Sequence, residues 1–163
     1  RVDSDDDYVD TALGERGGSD GRVVSDHCEF KMTPDYMSAD QWNFVFSYKA
    51  SIPSSEGLDV VSLADQEFGE RKRSIDEGFS LVENEGRADY ADRSHFVYGE
   101  SGEVSGGTSY VMLAQTRSAV YEFCFEAGSE GENGGLVPEA AFDHEVEKMI
   151  KRMKIDFGIW VPE

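Results

Sequence analysis

The chain has 163 residues, enough for one domain, which at this size buries about 70% of the surface its unfolded form exposes. Its formal charge of -19, from 34 acids against 15 bases, would repel a nucleic-acid backbone or an anionic lipid surface, so neither is expected as a partner. Hydrophobic residues at 39% and aromatics at 12% exclude a wholly disordered chain, and no apolar run reaches the ~18 residues of a membrane-spanning helix.

The opening "RVDSDDDYVD" raises the question of calcium. A helix-loop-helix calcium loop needs oxygen ligands at its first, third and fifth positions, glycine at the sixth and glutamate at the twelfth. Counting from Asp3, Asp5 and Asp7 fit, but Tyr8 stands where glycine belongs and Gly14 where glutamate belongs. With "GERGGSDG" following, residues 1–21 read as a disordered acidic, glycine-rich linker, and residues 22–163 as a single domain. No export leader stands at the start. Because the chain begins at Arg1 and not at methionine, a leader or lipid anchor upstream is expected.

From Val23 the pattern alternates. "HCEFKM" reads as a short strand, and "WNFVFSYKA" as a half-buried one with Trp42, Phe44, Phe46 and Tyr48 on one face. "LDVV" reads as another short strand. "SLADQEFGERKRSIDEG" then reads as a helix, capped by Ser62 with Asp65 three residues on, its apolar stripe marked by Ala64, Phe68 and Ile75. "FSLVE" and "HFVY" are short strands. "TSYVMLAQT" and "SAVYEFCFEA" are strands apolar on both faces, which need cover on both. A last helix begins near Pro138, with Phe142, Val146, Met149, Ile150 and Met153 at helical spacing, and "IDFGIWVPE" closes the chain as an extended end.

This order, with "FKMTPDYM", "SLADQEFGERKRSIDEGFSLVENEGRADYADRSHFVY", "YVMLAQTRSAVYEFCF" and "FDHEVEKMIKRMKIDF", resembles the PsbP-like fold over roughly residues 28–157. That superfamily includes the extrinsic P subunit of photosystem II, a Ran-binding nuclear import factor and exported bacterial lipoproteins, and the last branch is the one this chain looks like. Tyr36 stands where many members carry tryptophan, and the acidic start is an addition. The resemblance implies an α+β protein, a three-layer α/β/α sandwich with a mainly antiparallel sheet, serving outside the cytoplasm as a non-catalytic binding or assembly module.

Candidate chemistry is sparse. "DRSH" gathers Asp92, Ser94 and His95, but neighbours on a strand point to opposite faces, so Ser94 and His95 do not make a nucleophile and base pair. His27, His95 and His144 match no zinc spacing with Cys28, Cys124 or the carboxylates, and no phosphate-binding glycine loop occurs. No cofactor, metal or catalytic residue is expected. The alternative is a small hydrolase or metal-dependent enzyme using His95 or His144. Cys28 and Cys124 read as two thiols on separate strands, with an inter-strand disulfide as the alternative if their Cα atoms approach within about 7 Å. Arg71, Lys72 and Arg73 reverse the sign of an acidic chain and, with Trp160, are the candidate surface for a protein or small-ligand partner, against the plainer reading of a solvated helix face.

Overall fold

The structure is a computed structural model that describes residues 2–3, 22–34, 41–52, 59–101, 107–128 and 135–160, with the side chains of α2 described as far as residue 152. The elements are β1 (Val2–Asp3), β2 (Arg22–Met32), β3 (Trp42–Ile52), α1 (Val60–Gly78), β4 (Phe79–Gly86), β5 (Arg93–Ser101), β6 (Thr108–Thr116), β7 (Ala119–Ala127) and α2 (Glu139–Trp160). It is an α+β protein with one antiparallel sheet. Strand order is β1-β2-β3-β7-β6-β5-β4, with six long strands and the two-residue β1 at one edge.

β2 and β3 pair along their whole length, from Arg22↔Ile52 to Met32↔Trp42. α1 then carries the chain to the far edge, from which β4 to β7 return as a meander until β7 pairs with β3 through Phe46↔Phe123. Arg117 and Ser118 form the tight turn between β6 and β7, and Arg117 adopts φ 54°, the left-handed conformation that such turns demand.

Alternation along β6 sorts the core into two clusters. Tyr110, Met112 and Ala114 pack with Trp42, Phe44, Phe123 and Phe125 and with Ala141, Phe142, Val146 and Ile150 of α2. Val111 and Leu113, the intervening residues, pack with Val97 and Val120 and with Ala64, Phe68 and Ile75 of α1. The first cluster is held by aromatic geometry: the Phe142 ring lies 4.5 Å from Trp42 and stacks on Tyr110 at 5.7 Å and 13°. Tyr98 Oη donates to Val137 O at 2.9 Å and Val137 N donates to Thr108 Oγ1 at 2.8 Å, fixing where the chain enters α2.

Three expectations are corrected. "LDVV" is not a strand, because Asp59 caps α1 and Val60 and Val61 form its first turn. Asp59 accepts from Ser62 N at 3.0 Å and from Ser62 Oγ at 2.6 Å, so Ser62 is the capped residue and not the cap. The end of the chain is helical as far as Trp160, so "IDFGIW" continues α2 instead of extending. Of the segment read as a linker, Val2 and Asp3 pair with Met32 and Lys31, while residues 4–21, including Asp5 and Asp7, lie outside the described residues.

Candidate functional site: the polar seam beneath α1

The apolar cluster under α1 is interrupted by a polar row. The register aligns His95, Leu113, Glu122 and Ser47 across β5, β6, β7 and β3 on the face that α1 covers. From the helix, Glu67, Arg71 and Asp76 recur at spacings of four and five and meet this row, with Lys72 paired to Asp76.

Two networks result. At the β3 and β7 end, Arg71 donates to Ser47 Oγ at 2.7 Å and to Glu67 Oε1 at 2.8 Å, and lies 3.4 Å from Glu122 Oε2; Lys49 also pairs with Glu67. Burial works to raise the Glu67 carboxyl, but hydrogen bonds and charge from Arg71 and Lys49 outweigh it and hold the group below its usual range. At the β5 end, Asp76 Oδ1 lies 2.8 Å from His95 Nε2, and Lys72 Nζ donates to Asp76 Oδ2 at 2.5 Å. The same contest operates there: desolvation raises Asp76, while Lys72 and His95 prevail and lower it. Nearer the start of α1, Arg93 sits over the Phe68 ring at 4.2 Å and Gln115 Nε2 donates to Asp65 Oδ1 at 2.9 Å.

The three consecutive bases do not form one patch. Helical residues diverge by about 100° each, so Arg71 turns inward to the sheet, Lys72 reaches Asp76 and Arg73 is exposed. Trp160 ends α2, and its side chain lies outside the described residues. His144 is exposed on α2, whereas its neighbours turn inward: Asp143 accepts from Tyr110 Oη at 2.8 Å, and Glu145 is buried with Lys148 beside it. Ser94 is bonded to the Ala88 backbone and faces away from His95, and Asp92 accepts from Arg117 N at 2.9 Å to brace the β6–β7 turn. "DRSH" is therefore three separate structural roles, not one constellation.

Cys28 and Cys124 are not bridged. Cys28 pairs with Phe46 on β3, while Cys124 on β7 pairs with Val45, the next residue along β3. The thiols thus stand two strands apart, about 10 Å by strand spacing, and on opposite faces, which exceeds what a disulfide spans.

One group of described residues offers converging metal-ligating atoms: Asp76, Glu85 and His95, all within 4.8 Å of one another. Sequence reading singled out His95 but neither carboxylate. Asp76 comes from the last turns of α1 and Glu85 from β4, and only the sheet register, which sets Glu85 beside Val97 on the His95 face, brings them together. The i, i+4 pair Lys72 and Asp76 was the one available signal.

A separate cleft of about 200 Å³ opens beside the first turns of α1, lined by Val23, Lys49, Ser51, Leu63, Gln66 and Glu70 among others. Compared with protein-family models, curated proteins and solved structures, the chain matches none. No helix among the described residues is long and apolar enough to cross a membrane.

Proposed function

We propose that this protein is a non-catalytic binding or assembly module that works outside the cytoplasm, on a three-layer α/β/α sandwich of the PsbP-like kind. The sorting of β6 into an α1 cluster and an α2 cluster supports that layering. Support for a non-catalytic role comes from the commitments of the hydrolase candidates: Ser94 to Ala88, Asp92 to the Arg117 amide, and His95 to Asp76.

The observation that carries the reading is the cleft at the α1 N-terminus. Its volume of about 200 Å³ is below the ~300–1,000 Å³ of small-molecule sites, and suits one side chain of a protein partner. Val23 and Leu63, 39% and 41% exposed, supply an apolar wall, and Glu67, Glu70 and Lys49 also line it, two acids against one base. A basic partner is steered by the -19 field and seats an apolar or long basic side chain there. Arg71 is half-buried against Ser47, Glu67 and Glu122 and Lys72 is paired with Asp76 at the surface, which favours a basic partner for the cleft over an acidic one for the three bases.

Capture from a native envelope extract tests this. Leu63→Arg blocks the cleft without touching the core and is expected to abolish recovery of partners that the folded wild type retains. Unchanged recovery sinks the cleft. Turnover of any substrate in a hydrolase panel, lost in His95→Gln, sinks the non-catalytic role, and fractionation to the cytoplasm sinks the location.

A further inference from the structure

We propose that Asp76, Glu85 and His95 form a binding site for a divalent transition-metal ion, independent of the partner cleft. His95 is 7% exposed, its Nε2 lies 2.8 Å from Asp76 Oδ1, and ligand atoms of Asp76 and Glu85, from different elements, converge on its ring. The Glu85 carboxylate has no hydrogen bond or ion pair among the described residues, although its oxygen lies within 4.8 Å of the Asp76 and His95 ligand atoms. Two carboxylates held this close repel each other, and Lys72 offsets only the Asp76 side, through Oδ2.

A cation resolves this arrangement. Ligands about 2.0–2.2 Å from zinc lie about 3.4 Å apart in a tetrahedron, so Asp76 Oδ1 and His95 Nε2, now 2.8 Å apart, must separate by about 0.6 Å, while the Glu85 oxygen must draw in by about 1.4 Å at most. Glu85 can make that adjustment because it is exposed on an edge strand, while His95 is fixed by burial. Asp76 Oδ1 would ligate, leaving Oδ2 with Lys72 as the outer hydrogen bond that orients a ligating carboxylate. The ion takes the Nε2 position that now faces Asp76 Oδ1, and the ring ligates as neutral imidazole with its one proton on Nδ1. One imidazole with two carboxylates selects zinc or manganese over calcium and magnesium, which demand oxygen throughout. A fourth position is open to water.

Isothermal titration of the full chain with zinc tests the site. The expected result is one ion per chain at micromolar affinity, accompanied by a shift of the His95 Nε2 nitrogen resonance. Glu85→Gln, which removes an exposed charge and no packing, is expected to weaken binding at least tenfold with the metal-free melting temperature unchanged. Asp76→Asn is a second variant, expected to weaken zinc at least tenfold and also to lower the metal-free melting temperature, because it breaks the pairs with Lys72 and His95. Glu83→Gln and His144→Gln, which alter exposed groups outside the cluster, leave affinity as in the wild type. The proposal fails if zinc binds no tighter than millimolar, if Glu83→Gln weakens it as much as Glu85→Gln, if the histidine that shifts is His144, or if calcium binds the cluster more tightly than zinc.

Discussion

Truncating Phe142 to alanine removes the centre of the larger core cluster. The ring is 0% exposed, and four aromatic rings surround it: Trp42 at 4.5 Å, Tyr110 at 5.7 Å, Phe125 at 6.2 Å and Tyr98 at 6.3 Å. Full burial of such a side chain contributes about 1.5–3 kcal/mol, and offset stacking adds about 0.5–1.5 kcal/mol. The neighbouring rings are rigid and belong to β3, β5, β6 and β7, so they cannot collapse into the space, and a cavity adds to the cost. The total is about 4 kcal/mol, which at a urea slope of about 2 kcal/mol/M moves the midpoint by about 2 M. Urea unfolding followed by circular dichroism measures it, and Trp42 fluorescence should shift because its nearest ring is lost. Leu63→Ala, 41% exposed, serves as the control and should change stability by under about 0.5 kcal/mol. A loss under about 1 kcal/mol for Phe142→Ala at unchanged slope would refute the placement of α2 on the aromatic face.

Gly99→Ala should destabilise by about 1–3 kcal/mol in thermal unfolding, because a Cβ there would meet Leu81 O at 2.0 Å; a neutral result would mean that β4 yields. Arg71→Gln should lower the melting temperature clearly, since it leaves Glu67 and Glu122 without their guanidinium, whereas Arg73→Gln should not; equal effects would restore the three bases as one surface patch. Glu67 is held below its usual 4.5, so its contribution is complete above that pH and is lost as pH falls through the lower folded value. The stability difference between wild type and Glu67→Gln should therefore be constant from pH 7 to about 5 and shrink below 4.5, and a difference that persists at pH 2 would contradict the ion pairs. Deleting residues 1–21, of which only Val2 and Asp3 belong to a described element, should change stability by under about 0.5 kcal/mol by denaturant titration; a larger loss would show that the segment is docked.

Alternation and helical spacing by themselves determined most of the elements. β6 runs from Thr108 to Thr116 as "TSYVMLAQT" predicts, and the stripes Ala64, Phe68, Ile75 and Phe142, Val146, Ile150 are buried as their spacing requires. Period is a local property, set by backbone geometry within a few residues. Element ends were less legible. Two valines beside Leu58 carry strand preference, yet Asp59 outweighs it by accepting the amide of Ser62 and starting the helix there. "IDFGIW" contains a glycine that weakens a helix, and α2 nevertheless continues through it.

Register and topology were decided only by the tertiary structure. Nothing local dictates that β7 returns to pair with β3, or that β4 lies at the far edge, because those pairings depend on which faces α1 and α2 bury. The same holds for chemistry. Arg71, Lys72 and Arg73 are adjacent in sequence but diverge around a helix, whereas Asp76, Glu85 and His95 are separated along the chain and converge. The parity of a strand placed Ser94 and His95 on opposite faces, and that much the sequence could settle. Which carboxylates face His95 depended on a helix laid across the sheet and on the pairing of β4 with β5, interactions made between residues too far apart in the chain for any spacing rule to reach.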